Sequence, residues 1–240
     1  SIQEARNLAV KARAAQRLYS TFTQEEVDRI VEAMAKAGSK HSERLAKMAV
    51  EETGYGVYEH KVIKNKFATE TIYQFVKDLK TVGIVWRDPE RKVIGLAEPM
   101  GVIAGITPVT NPTSTVMFKA LIALKSRNAI VFAPHPRAVK CSAEAAKVME
   151  EAAFSAGAPE GMVSCIAHIS LEGTEALMKH PDVHLILATG GVAMVRTAYS
   201  AGKPAYGVGP GNVPAYVDAS ADVKKAAREI VPSKTFANGT

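Results

Sequence analysis

The chain has 240 residues, 47% of them hydrophobic and 22% charged, with a formal net charge of +6. That length buries a core without disulfide or metal staples, and 17 glycines and 12 prolines are too few for collagen or low-complexity disorder. No run approaches the ~18 apolar residues of a membrane span, and the N-terminus, with Glu4 and Arg6, lacks the apolar stretch of a signal peptide.

The positive excess is mild and mixed with acids, without the basic stripe of a nucleic-acid binder. Small anionic partners, phosphates first, suit it better, and neither nucleic acid nor membrane is expected. Cys141 and Cys165 match no metal or redox spacing, so no metal is expected and the cytoplasm is the default location.

Residues 1–80 read as helices. Thr23-Gln-Glu-Glu26 is a capping box, followed by Val27, Ile30, Val31 and Met34 at helical spacing. A second helix over His41–Thr53 stops at Gly54, and a third covers Glu59–Lys80. Over residues 81–98, Val82–Trp86 and Lys92–Leu96 flank Asp88-Pro89, the signature of a strand pair, which packs either on another part of the chain or, as a candidate oligomerisation arm, on a second subunit. From residue 99 onward, short apolar runs alternate with helical patterns. The runs are Gly101–Ile106, Ala129–Phe132, Met162–Ile166, Val183–Ala188 and Val213–Val217. The helices fall near Thr115–Leu124, Val139–Ser155, Glu172–Lys179 and Val192–Ser200. This alternation predicts an α/β fold, a parallel sheet with flanking helices, whose ligand crevice lies outside the carboxyl ends of the strands.

Three strand ends carry candidate chemistry. Leu187-Ala-Thr-Gly-Gly191 ends one strand and opens a helix; Thr189, Gly190 and Gly191 let backbone amides approach a phosphate, or simply form a tight turn. Thr107-Pro108 leads to Thr110-Asn111-Pro112, where Asn111 is either a turn residue or an amide donor to a polarised carbonyl. Pro134-His135-Pro136-Arg137 sets an imidazole and a guanidinium on a stiff loop, for phosphate or adenine contact or as plain surface. Gly207-Val208-Gly209-Pro-Gly-Asn212, leading into the predicted strand at Val213, is denser in glycine than a turn requires; it holds backbone close to a substrate or forms a long hairpin-like turn, and it matches neither the dinucleotide fingerprint nor a P-loop. His41, His60 and His168 read as structural or surface residues, Pro181 separates His180 from His184, and Asn238-Gly-Thr240 is a glycosylation sequon without weight in a cytosolic chain.

Taken together, these segments resemble the aldehyde dehydrogenase superfamily, and more closely its CoA-acylating branch, including the aldehyde dehydrogenase half of bifunctional aldehyde–alcohol dehydrogenases. The resemblance rests on Phe22-Thr-Gln-Glu-Glu-Val-Asp28, Lys61-Val-Ile-Lys-Asn65, Thr110-Asn-Pro-Thr-Ser-Thr115, Pro134-His-Pro-Arg-Ala138, Leu185–Gly191, Gly202-Lys-Pro-Ala205 and Ser233-Lys-Thr-Phe236, in the family's order. It implies a Rossmann-like cofactor domain, with residues 1–80 as its helical part and 99–240 as its dinucleotide-binding core. Its cofactor would be NAD, with NADP also open, and its co-substrate coenzyme A. The activity implied is oxidation of a short aldehyde to acyl-CoA by a homo-oligomer.

Two departures bear on mechanism. Hydrolytic members keep a Glu before their paired glycines, whereas this chain reads Gly207-Val-Gly-Pro-Gly211; without a base to activate water, a thioester survives for attack by CoA. Ala133 replaces a Lys that contacts the adenosine ribose, beside His135. By the same resemblance, Asn111 with Thr110 stabilises the oxyanion, and Thr107, Pro108, Thr189, Gly190 and Gly191 line the cofactor. Pro134, His135, Pro136 and Arg137 meet the adenosine end, and Val208 and Gly209 border the acyl pocket. The nucleophilic cysteine and its catalytic domain are expected just past Thr240, so the fragment by itself is expected to be inactive. The competing readings are a hydrolytic dehydrogenase and a non-catalytic oligomerising or cofactor-binding fragment. Acetaldehyde, other short aldehydes and sulfoacetaldehyde all fit as substrate.

Overall fold

The computed structural model describes residues 1–239; the third residue of the Asn238 sequon lies outside them. Four helices open the chain: α1 (Ile2–Tyr19), α2 (Gln24–Lys40), α3 (Ser42–Thr53) and α4 (Tyr58–Lys66). Alanines 5, 9, 12 and 15 form the buried stripe of α1, and their small side chains let it lie close against the sheet and a later helix. Thr23 caps α2 as expected: its hydroxyl accepts from the Glu26 amide, and the Glu26 carboxylate accepts from the Thr23 amide. Gly54, at φ +69°, ends α3 in the left-handed conformation that glycine adopts without a Cβ clash.

The third predicted helix differs from expectation. It runs from Tyr58, widens into a π-turn over Phe67–Thr71 and ends as α5 (Ile72–Val76), four residues before Lys80. An antiparallel pair follows, β1 (Gly83–Asp88) with β2 (Val93–Ala97), with Trp86, Val93, Ile94 and Leu96 exposed. Arg127 ties its base down by donating to the carbonyls of Ala97 and Ser20.

The remaining elements are β3 (Val102–Ile106), α6 (Pro112–Lys125), β4 (Ala129–Ala133), α7 (Val139–Ser155), β5 (Val163–Cys165), α8 (Leu171–Lys179), β6 (Val183–Thr189), α9 (Val192–Tyr199), β7 (Ala205–Val208) and α10 (Val223–Thr235). The five later strands form one parallel sheet in the order β5-β4-β3-β6-β7. From β3 the chain winds one way through α6 and α7, then crosses back to β6 and winds the other way through α9. Right-handed crossovers therefore put α6 and α7 on one face and α8 and α9 on the other. β3 and β4 are buried along their full length, which is why both read as unbroken apolar runs. Phe132, Ile130, Met117, Leu121 and Leu124 sit at the centre of the core, each contributing about 1.5–3 kcal/mol by burial.

The run Val213–Val217 is not a strand. The free edge of β6 is taken earlier, by Ala205–Val208, in the register Ile186↔Ala205 to Thr189↔Val208. Residues 213–217 are left without a ladder partner, Pro214 removes a donor from the run, and Val213 and Tyr216 are exposed. The glycine-rich segment from Gly207 thus begins inside the last strand rather than leading into one. Among the described residues no helix is long and apolar enough to cross a membrane, and no three His, Cys, Asp or Glu side chains gather as metal ligands.

Candidate active site

In a doubly wound sheet the crevice opens where the winding reverses, here between the carboxyl ends of β3 and β6. Ile106 pairs with Ala188 on one side and Ala133 on the other, so the loops after β3, β4 and β6 leave the sheet at one level. That register brings the Thr107–Asn111 loop beside Thr189, Gly190 and Gly191. Thr107 is buried, its amide donates to the Ala133 carbonyl, and its hydroxyl lacks a hydrogen-bond partner. Pro108 and Thr110 are half-buried behind it.

Asn111 occupies the N-cap of α6, with Pro112 as first helical residue. Its carbonyl accepts from the Thr115 amide and hydroxyl, which fixes its backbone. Its side chain faces α4. Lys64 Nζ donates to Asn111 Oδ1 at 3.0 Å, and Lys61 Nζ donates to the Thr110 carbonyl at 2.6 Å. Burial, with the neighbouring Lys64 charge, lowers Lys61 to about 8, and burial lowers Lys64 too. Asn65, one residue on, accepts from Thr113 and donates to the Ser42 carbonyl, locking α4 to α6 and α3.

On the other side of the crevice, Gly190 donates to the Val208 carbonyl at 3.1 Å, coupling the β6 turn to the end of β7. Gly191 caps α9 with nothing within 4 Å of where a Cβ would stand, so the helix N-terminus is open to an anion. Val208 and Gly209 are exposed at the rim. Below them a largely apolar cavity of about 500 Å³ runs along the sheet beside α6, lined at this end by Lys119, Leu187, Thr189, Tyr206 and Val208. The carboxylate among its lining residues, Glu98, precedes β3 and so belongs to the opposite end of the strands.

The β4 loop stands apart from the switch point. Pro134 is buried and Pro136 opens a single 3₁₀ turn, with His135 Nδ1 accepting from the Arg137 amide. Burial, aided by Arg137, lowers the His135 pKa. Arg137 is exposed yet held: it donates to the Thr53 carbonyl at 2.9 Å and lies 5.4 Å from the Tyr55 ring centroid. Glu52 accepts the Lys140 and Cys141 amides at the start of α7, pinning this loop to α3.

Three residues near the strand ends were not singled out by sequence reasoning. In the sequence Lys61 and Lys64 stand out only as part of a motif, although their spacing of three places them on one helix face. Lys119 carried its own signal, a lone lysine within Val116-Met-Phe-Lys-Ala-Leu-Ile122. His60 has a structural place: it stacks on Phe236 at 4.3 Å and its Nδ1 accepts from the Ala237 amide. Cys141 is buried in α7 and Cys165 is half-buried in the edge strand β5; burial raises both thiols, Cys165 to about 12.

A doubly wound parallel sheet with its crevice at the β3–β6 switch point is the architecture of a nucleotide-binding α/β protein, and sequence comparison gives the family. The chain belongs to the aldehyde dehydrogenase family, whose model matches residues 2–240. Within the family it is similar to acylating members. It is 52% identical over 239 residues to the bifunctional aldehyde-alcohol dehydrogenase AdhE of Escherichia coli K12, covering 100% of this chain and 27% of that protein. The acetylating aldehyde dehydrogenase of Geobacillus thermoglucosidasius superposes with a TM-score of 0.95 at 57% identity, over 98% of this chain and 52% of that one. A Rhodopseudomonas palustris propionaldehyde dehydrogenase, solved with CoA and an acylated cysteine, gives 0.85 at 36% identity, over 98% of this chain and 53% of that one.

Proposed function

We propose that this chain forms the cofactor-binding half of an enzyme that oxidises a short aldehyde to its acyl-CoA thioester. The observation that carries the reading is the sheet register, which sets the loop bearing Asn111 and the open N-terminus of α9 at the carboxyl ends of the neighbouring strands β3 and β6. The CoA-bound relative supports the thioester product, as does the absence of a carboxylate in Gly207–Gly211.

A thiolate adding to an aldehyde turns its carbonyl oxygen into an oxyanion, and a fixed amide donor stabilises that charge better than mobile water does. Asn111, immobilised by Thr115 and Lys64, is the group for this role, with Thr110 beside it. A nicotinamide dinucleotide, NAD or NADP, when bound supplies the acceptor for the hydride lost by the aldehyde carbon. The residues present fit such a group: the unpartnered Thr107 hydroxyl and the clear space over Gly191 lie on opposite sides of the switch point. Thr189, Gly190 and Gly191 would hold its phosphates, with Thr107 and Pro108 opposite, and Pro134, His135, Pro136 and Arg137 would meet an adenosine. Val208 and Gly209 would border the acyl group. The exposed apolar residues of the β1–β2 pair suit a second copy of the chain as partner.

The complete enzyme is assayed for NAD(P)H formation with acetaldehyde, with and without CoA. CoA-dependent turnover that yields a thioester, and a fall in kcat of roughly 10²–10³ for Asn111→Ala, are expected. Acid formed equally well without CoA overturns the proposal in favour of hydrolysis.

A further inference from the structure

An amide side chain has nearly the same shape with its oxygen and nitrogen exchanged, so an asparagine that must donate needs something to break that degeneracy. Asn111 has such a partner. An ammonium group donates and cannot accept, so the 3.0 Å contact from Lys64 Nζ admits only Oδ1 and turns the NH₂ end away from α4. The NH₂ end then lies on the side of Thr110 Oγ1, to which it donates one long bond of 3.5 Å, and its second N–H is left for another acceptor.

Lys64 does not act from an isolated position. Lys61, one turn earlier on α4, grips the preceding Thr110 carbonyl, so two lysines of one helix face hold two consecutive residues of the loop. His60, one turn from Lys64, holds the Ala237 amide and stacks on Phe236, and Lys64 Nζ lies 5.5 Å from the centroid of that ring. A single face of α4 thus joins the Asn111 loop to the Phe236–Ala237 segment.

From this geometry we infer that Lys64 is a positioning residue for Asn111: it fixes the orientation of the amide so that its NH₂ faces the reacting carbonyl oxygen. The inference rests on Asn111 being the oxyanion donor, and the test separates the two. In the complete enzyme, Lys64→Met lowers kcat roughly tenfold, as expected for losing a hydrogen bond to a charged group, while the KM for aldehyde holds. Lys64→Arg, which keeps a charged donor, recovers most of the loss. In an Asn111→Ala background, Lys64→Met costs less than about twofold, because there is no amide left to orient. Lys64→Gln replaces Lys64→Met in the cycle if circular dichroism shows the latter unfolded. A tenfold loss from Lys64→Met that persists in the Asn111→Ala background overturns the inference, as does a wild-type kcat for Lys64→Met. A wild-type kcat for Asn111→Ala overturns the oxyanion assignment itself.

Discussion

Lys119 lies in the middle of α6 with 4% of its surface exposed, and its Nζ donates 2.7 Å hydrogen bonds to the carbonyls of Ile106 and Leu187. It bridges the carboxyl ends of β3 and β6, the two strands that flank the crevice. Burial lowers its pKa from 10.5 to about 7. Between those values the unfolded chain binds a proton that the folded chain does not, so stability rises with pH at up to about 1.4 kcal/mol per pH unit. Tyr19, Cys141 and Cys165, whose pKa values burial raises, pull the other way only near and above their ordinary values of 10.0 for the tyrosine and 9.0 for the thiols, so pH 7 to 9 is the window in which the lysine dominates. Integrated across it, Lys119 contributes a gain of about 2 kcal/mol. Lys61, at about 8, adds a gain of the same sign, which a Lys119→Met variant keeps. Urea unfolding of both proteins at pH 7 and pH 9 therefore shows a pH-dependent gain smaller by about 2 kcal/mol in the variant. Equal gains in the two would refute the claim that burial lowers the pKa of this lysine.

Two further outcomes follow from packing and burial. A Cβ on Gly105 would stand 2.7 Å from the Phe132 ring and 3.0 Å from Ile130, both immobile in the core, so Gly105→Ala lowers the unfolding free energy by about 1–3 kcal/mol, read by chemical denaturation. Unchanged stability would mean that β3 and β4 yield more than their burial implies. Because burial raises both thiols, iodoacetamide at pH 8 labels Cys141 and Cys165 roughly a hundredfold more slowly in the folded chain than in urea, read by mass spectrometry. Fast labelling of either in the folded chain would show a thiolate that the packing forbids.

Much of this was legible in the residues. The capping box at Thr23, the stop at Gly54 and the apolar runs of β3, β4 and β6 are local signals, written in spacings of a few residues and realised as written. Asn111 stood out because a proline follows it at a helix start. Lys61 and Lys64 did not: a lysine pair on a helix reads as a solvated face until the helix is docked against a loop 47 residues away. Val213–Val217 failed for the same reason in reverse. Its composition suits a strand, but a strand exists only where a neighbour offers a ladder, and β7 had already taken that edge.

Periodicity and turn chemistry decide which stretches are helix or strand, because those preferences act within a turn or two of the backbone. Which loops face one another is decided by strand order, because the reversal of winding between β3 and β6 sets segments about eighty residues apart side by side. The lowered pKa of Lys119, the contact between Lys64 and the Asn111 amide and the raised pKa of both thiols belong to that second level. Each depends on what distant chain removes from water, and no residue carries that information alone.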